Sequence, residues 1–250
     1  MKTMKGESCY YITALPALGE LGSEPPLTPS QLLEHVADNS DLRVLVEVLF
    51  LFDDLCQREA FLAGEIKDVD TTVLKKDQAR NAAPLPRYLV SVARVVPGAL
   101  QIDGLWDNCF RHAKDVAQRH RSIFLADWVG HEVALRNALA ATRARRLGLE
   151  ASNYLVATDL ADSGEDLTGI VSEWETAPTP LTGLQVLIKA RWTWLVEHDA
   201  WFTFNNDELA AYAAKLMLLH QWRRLSEAGR DVSANQEINN SSASLERTAQ

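Results

Sequence analysis

Glu132 is the residue best placed to do chemistry, because it interrupts an apolar stripe. Over residues 124–148, FLADWVGHEVALRNALAATRARRLG, a helical period of about 100° per residue puts Phe124, Leu125, Trp128, Leu135 and Leu139 on one side. Glu132 falls among them, with Arg136 and Arg143 at the edge. The opposite side carries small residues and Asn: Ala126, Gly130, Ala134, Asn137, Ala141 and Ala144. The pattern predicts a helix buried on two sides, whose small face lets a second helix approach closely. A buried carboxylate needs a cation or a proton. Arg136, one turn on in the favourable order, is the candidate partner for a structural ion pair that fixes docking. The alternatives are a reactive group or switch, or a stripe less buried than it looks.

Other residue sets lack a catalytic frame. His131-Glu132 starts like a zinc-protease HExxH, but Leu135 replaces the second histidine. None of the six histidines has a glutamate three residues before it, as a di-iron bundle would need. Asp127 and His131 read as a helix-surface pair, and His220, among Leu209, Tyr212, Leu216 and Leu219, as a packed histidine. Cys9, Cys56 and Cys109 have no metal spacing. No GxGxxG, GxxxxGK[ST] or GxSxG occurs, so nucleotide-loop and nucleophile-elbow chemistry have no support and no cofactor is expected. Trp192, Trp194 and Trp201 crowd one region. They are core packing or contacts for a partner, and Arg223 is a further candidate partner contact.

The elements that would position these residues are helices. Thr28-Pro29-Ser30-Gln31 is a capping box with proline at the first helical position. A second, strongly apolar helix begins at Asp41, reaches Phe52 or Leu62, and stops at Gly64. Residues 64–84 have little periodicity and read as a mobile linker. Further helices are expected over Arg87 to Val96, from Leu105 to Arg119, and through the Glu132 segment to Gly148. Glu165 to Trp174 reads as a short acidic helix. Thr182-Gly183-Leu184-Gln185 reads as a capping box for one ending near Asp199. A last helix runs from Asp207 to Ala228, with Asn205 or Asn206 as N-cap and Gly229 as its end. Tyr10 to Leu15 has strand character, and residues 231–250 read as a disordered tail. The expectation is an all-α multi-helix bundle with at most a short N-terminal strand. It spans residues 1–230 as one domain, or as two lobes, 1–63 and 85–230.

The chain has 250 residues, 25 Lys and Arg against 34 Asp and Glu, and a net charge of -9. Nothing in that balance calls for nucleic acid. The longest apolar run, Val44 to Phe52, contains Glu47 and is too short for a bilayer, so direct membrane insertion is not expected. The cysteine usage fits a reducing cytoplasm.

Four segments together resemble a bacterial family of unknown-function proteins whose genes sit within V-type ATPase operons. They are Tyr10-Tyr11-Ile12-Thr13-Ala14-Leu15-Pro16-Ala17-Leu18 and Leu85-Pro86-Arg87-Tyr88-Leu89. The third is Phe124-Leu125 with Trp128 and Arg136-Asn137-Ala138-Leu139-Ala140-Ala141. The fourth is Phe202-Thr203-Phe204 with Ala211-Tyr212 and Arg223-Arg224-Leu225. The last two also look like the central-stalk subunit of V-type and archaeal-type ATPases, where a helix carries an Asn followed six residues later by an Arg, as Asn137 and Arg143 do. The acidic residue usual three positions before that Asn is Ala134 here. The resemblance implies a bundle related to the helical lobes of that subunit, with one lobe missing or reduced. It also implies a non-catalytic structural or accessory subunit whose partners are V/A-type ATPase subunits, cytoplasmic and peripheral to a membrane-bound complex. The alternatives are a standalone helical enzyme or ligand-binding protein with a pocket around Glu132, and a regulatory adaptor that docks transiently.

Overall fold

A computed structural model describes residues 10–90, 101–199 and 205–248, excepting the side chains of residue 101 and of 231–248. The molecule is mostly helical, with no strand among the described residues. Its elements are α1 (Pro29–His35), α2 (Ser40–Leu62), α3 (Lys76–Ala79), α4 (Gln101–His120), α5 (Ile123–Arg146), α6 (Thr168–Glu175), α7 (Pro180–Glu197) and α8 (Asn206–Thr248).

Local chemistry explains the starts and stops. Thr28 and Gln31 form the reciprocal capping box, with proline in the first turn of α1. Asn39 caps α2 by accepting from Leu42 N–H at 3.1 Å, and Ser122 caps α5 by accepting from Leu125 N–H at 3.1 Å. Gly64 and Gly148 take left-handed φ values of 77° and 67° just beyond α2 and α5, as helix stops require. α7 opens earlier than the sequence pattern suggests. Thr179 is its N-cap, with proline following and Thr182 completing a box, because the Thr-Pro pair outcompetes the later threonine. Asn205 caps α8, its Oδ1 accepting from the N–H groups of Asp207 and Glu208.

α2 is buried almost all round, every residue from Val48 to Leu55 lying inside. It packs against α8 and α4, α4 packs against α5, and α8 against α7. Phe52 stacks on Trp106 of α4, and Trp194 of α7 meets Phe124 and Trp128 of α5. One core joins residues of α1, α2, α4, α5, α7 and α8, with a satellite of Leu135, Leu139, Leu167 and Leu187 under α6. The core therefore crosses the division between residues 1–63 and 85–230.

Four expectations need correction. Tyr10 to Thr13 form a helical turn, closed by Ala14 N–H donating to Tyr10 O at 3.3 Å, where a strand was expected. The 64–84 segment is pinned to α2 rather than free. Asp54 accepts from the N–H groups of Thr72, Val73 and Leu74 at 2.8, 2.7 and 2.7 Å, and Arg58 donates to Gln78 O at 2.7 Å and Ala79 O at 3.1 Å. The segment contributes backbone N–H and C=O groups to those bonds, which neither periodicity nor composition registers. The expected helix over Arg87 to Val96 is a 3₁₀ turn, Arg87–Leu89, and residues 91–96 lie outside the described residues. α8 continues past the expected end at Gly229 to Thr248, because Gly229 keeps helical φ and imposes no stop.

Candidate functional site

α5 is the hub of the polar contacts. Glu132 is held by Arg191 of α7 through two bonds, Nε to Oε1 at 2.5 Å and Nη2 to Oε2 at 2.9 Å. Both side chains are largely buried, 11% and 22% exposed. Burial works against the charge of Arg191, and the adjacent Glu132 carboxylate outweighs it, raising the guanidinium's pKa. Arg136 is therefore not the partner. Its guanidinium lies 4.6 Å from the centre of the Trp106 ring, with Glu59 at 3.6 Å and Asp103 at 3.7 Å. α7 brings the Nε and Nη2 edge of Arg191 to both carboxylate oxygens, while the Arg136 guanidinium is taken up by Trp106, Glu59 and Asp103. Arg143 packs over Trp174 of α6 at 5.0 Å.

The small face of α5 is covered by an irregular strap, residues 151–167, instead of a second helix. Asn137 acts as an edge for it, donating to Val156 O at 2.8 Å and accepting from Val156 N–H at 2.9 Å. Gly130 O accepts from Asp162 N–H at 3.1 Å. α4 grips the same strap, Asp107 accepting from Ala157 N–H at 2.9 Å and Arg111 bridging Asp107 and Asp159. Ala157 is left-handed at φ 44° and buried, an unusual conformation for a residue with a side chain.

His131 is not on the surface with Asp127. It is 1% exposed, and its Nδ1 lies 2.8 Å from both carboxylate oxygens of Glu165 at the end of the strap. Its ring stacks on Trp194 at 5.0 Å, whose other neighbours include His198 at 4.0 Å. Trp194 is 7% exposed and so belongs to the core rather than to a partner surface. Trp192 is half-buried against the core, and Trp201 lies outside the described residues. Arg223 reaches Glu24 at 2.9 Å and Glu227 at 3.8 Å. His220 is packed, its Nε2–H donating to Leu27 O at 2.9 Å, and burial lowers its pKa.

Among the described residues no group of three or more His, Cys, Asp and Glu could hold a metal ion, and no helix is long and apolar enough to cross a membrane. A cavity of about 420 Å³ lies between α6 and α7, bordered by Glu165, Asp166, Glu173 and Glu197 and reaching Trp194. Neither Glu132 nor Arg191 is among the residues that border it.

The model of the DUF2764 family, described as a protein of unknown function, matches residues 102–238. The chain belongs to the DUF2764 family. No curated protein and no solved structure matches it. The matched DUF2764 range holds α5, the strap, α6 and α7 whole, and with them the bonds of Glu132, Asn137, His131 and Arg143. α2, the centre of the core, lies outside it. Sequence reasoning found Glu132 and Asn137 in this DUF2764 chain but missed Arg191 and Glu165. Arg191 had a signal: it interrupts the α7 stripe of Leu187, Ile188, Trp194 and Leu195, as Glu132 interrupts that of α5. Glu165 had none, since only the path of the strap brings it to His131.

Proposed function

We propose that this DUF2764 protein is a non-catalytic structural or accessory subunit of a V/A-type rotary ATPase. It would couple or assemble the cytoplasmic head with the membrane rotor, at the cytoplasmic side and without a cofactor. The observation that carries the reading is the engagement of both Glu132 oxygens by one guanidinium. The residue best suited to chemistry braces α5 against α7. Asn137 to the strap, Arg111 between α4 and the strap, and Asp53 of α2 with Gln221 and Arg224 of α8 brace the body in other directions. Bonds across helix pairs suit a body that passes on force without deforming. The four-segment resemblance to proteins of V-type ATPase operons supplies the assembly. Glu132 does not border the 420 Å³ cavity, which disfavours an enzyme built around that carboxylate and that space.

The test is purification of the tagged full-length protein from its native cells under mild detergent. Recovery of V-type ATPase subunits in fixed stoichiometry is the expected result. Their absence from the purified material, with the tagged protein intact, would remove the proposal.

A further inference from the structure

We propose that the groove between α6 and α7 is a docking site for an arginine- or lysine-bearing segment of a partner protein. The inference is independent of which assembly the chain joins. The cavity, about 420 Å³, falls within the size range of built ligand sites, roughly 300–1,000 Å³. Its walls are of two kinds. Ile170 on α6 and Val186 and Ala190 on α7 are apolar and only partly covered, while Glu165, Asp166, Glu173 and Glu197 bring carboxylates to the same space. Lys and Arg need that combination, an apolar bed for the aliphatic stem and acceptors for the charged head.

Four carboxylates on a surface would alone be a solvated face. Here one of them is built in. Glu165 is only 20% exposed at its side chain and is held by an imidazole that is 1% exposed. The other ring nitrogen of His131, Nε2, is buried without a hydrogen-bond partner among the described residues. The contact with Glu165 is the polar contact that His131 makes among the described residues, and it fixes the groove's carboxylate. Asp166 is fixed by its own neighbour: the Thr168 hydroxyl and N–H donate to it and lower its pKa. The groove's own cation does not neutralise the site, since Lys189 directs its Nζ toward the Trp222 ring, 5.8 Å away. The net charge of -9 adds a field that draws a basic segment in.

The test uses the full-length protein and a fluorescein-labelled peptide, Ala-Ala-Arg-Leu-Leu-Arg-Ala-Ala, with a second peptide carrying citrulline for both arginines. Citrulline keeps the shape and removes the charge. Anisotropy titration at low salt should show saturable binding of the arginine peptide, at least about tenfold tighter than the citrulline one. Glu173→Gln with Glu197→Gln changes two exposed side chains and should leave the circular dichroism unaltered while weakening binding about tenfold. Amide protection on adding the arginine peptide should rise in residues 165–197. Equal binding of the two peptides, binding unchanged in the double variant, protection elsewhere only, or no binding up to about 1 mM would each overturn the inference.

Discussion

Removing Arg191 would leave the Glu132 carboxylate at 11% exposure with neither oxygen opposed by a cation. Glu132→Ala and Arg191→Ala should each lower unfolding free energy by about 3–5 kcal/mol, the scale for breaking one half of a buried pair. Replacing both by apolar residues, Glu132→Leu with Arg191→Met, should recover most of that loss. Arg136→Ala should lose only about 1 kcal/mol, because its contacts with Trp106, Glu59 and Asp103 are partly solvated. Urea unfolding of the four variants checks the ranking, and a larger loss at Arg136 than at Arg191 would reverse the pairing described above. Asp54 makes a pH prediction. Burial pushes its carboxyl from 3.8 up to about 7, against the lowering by the N–H groups of Leu74, Thr72 and Val73. A folded value above the unfolded one means that folding takes up a proton between those limits. The contribution of Asp54 to stability is full below about 4 and is lost as pH rises through 7. Asp54→Asn should remove that part of the slope in a pH series of urea midpoints.

The strap over α5 behaves as an element of its own, fastened at Asn137, Gly130, Asp107 and His131. Asn137→Ala strips Val156 of both bonds and should cost about 2 kcal/mol. Hydrogen exchange should quicken at Val156 and its strap neighbours while the centre of α5 keeps its protection. Ala157→Gly should leave stability unchanged or raise it by up to about 1 kcal/mol, since glycine takes φ 44° without the penalty a Cβ brings. A clear loss in thermal unfolding would show that the alanine methyl packs better than its backbone suffers. Elements of this kind mark the limit of what the sequence discloses. Caps at Thr28 and stops at Gly64 and Gly148 are local chemistry, readable from a few neighbouring residues. Glu132 and Asn137 were legible as polar intrusions in a helical pattern, but the identity of their partners depends on which segment docks alongside. Arg191 and Val156 lie 59 and 19 residues away along the chain, and no periodicity encodes that choice. The Asp54 contacts were hidden for the same reason: a carboxylate bonded to backbone N–H groups leaves no mark on the composition of the loop it holds.

At the scale of the molecule, α8 is the longest element, 43 residues and roughly 64 Å. Its residues in the described core run from Leu209 to Leu218, with Trp222 and Leu225 packed at the margin. The satellite cluster under α6, the Arg143–Trp174 contact and the Glu132–Arg191 pair join α5, α6 and α7 into one block. Trp194 sits where that block meets the main core, parallel to His198 within 9° and screened from water. An indole so placed emits at shorter wavelength than one in water, and it loses that environment if the last turn of α7 lifts. The junction thus carries its own optical gauge. The difference spectrum between the native chain and a Trp194→Phe variant would read the seating of α7 on α5 continuously, with no label attached.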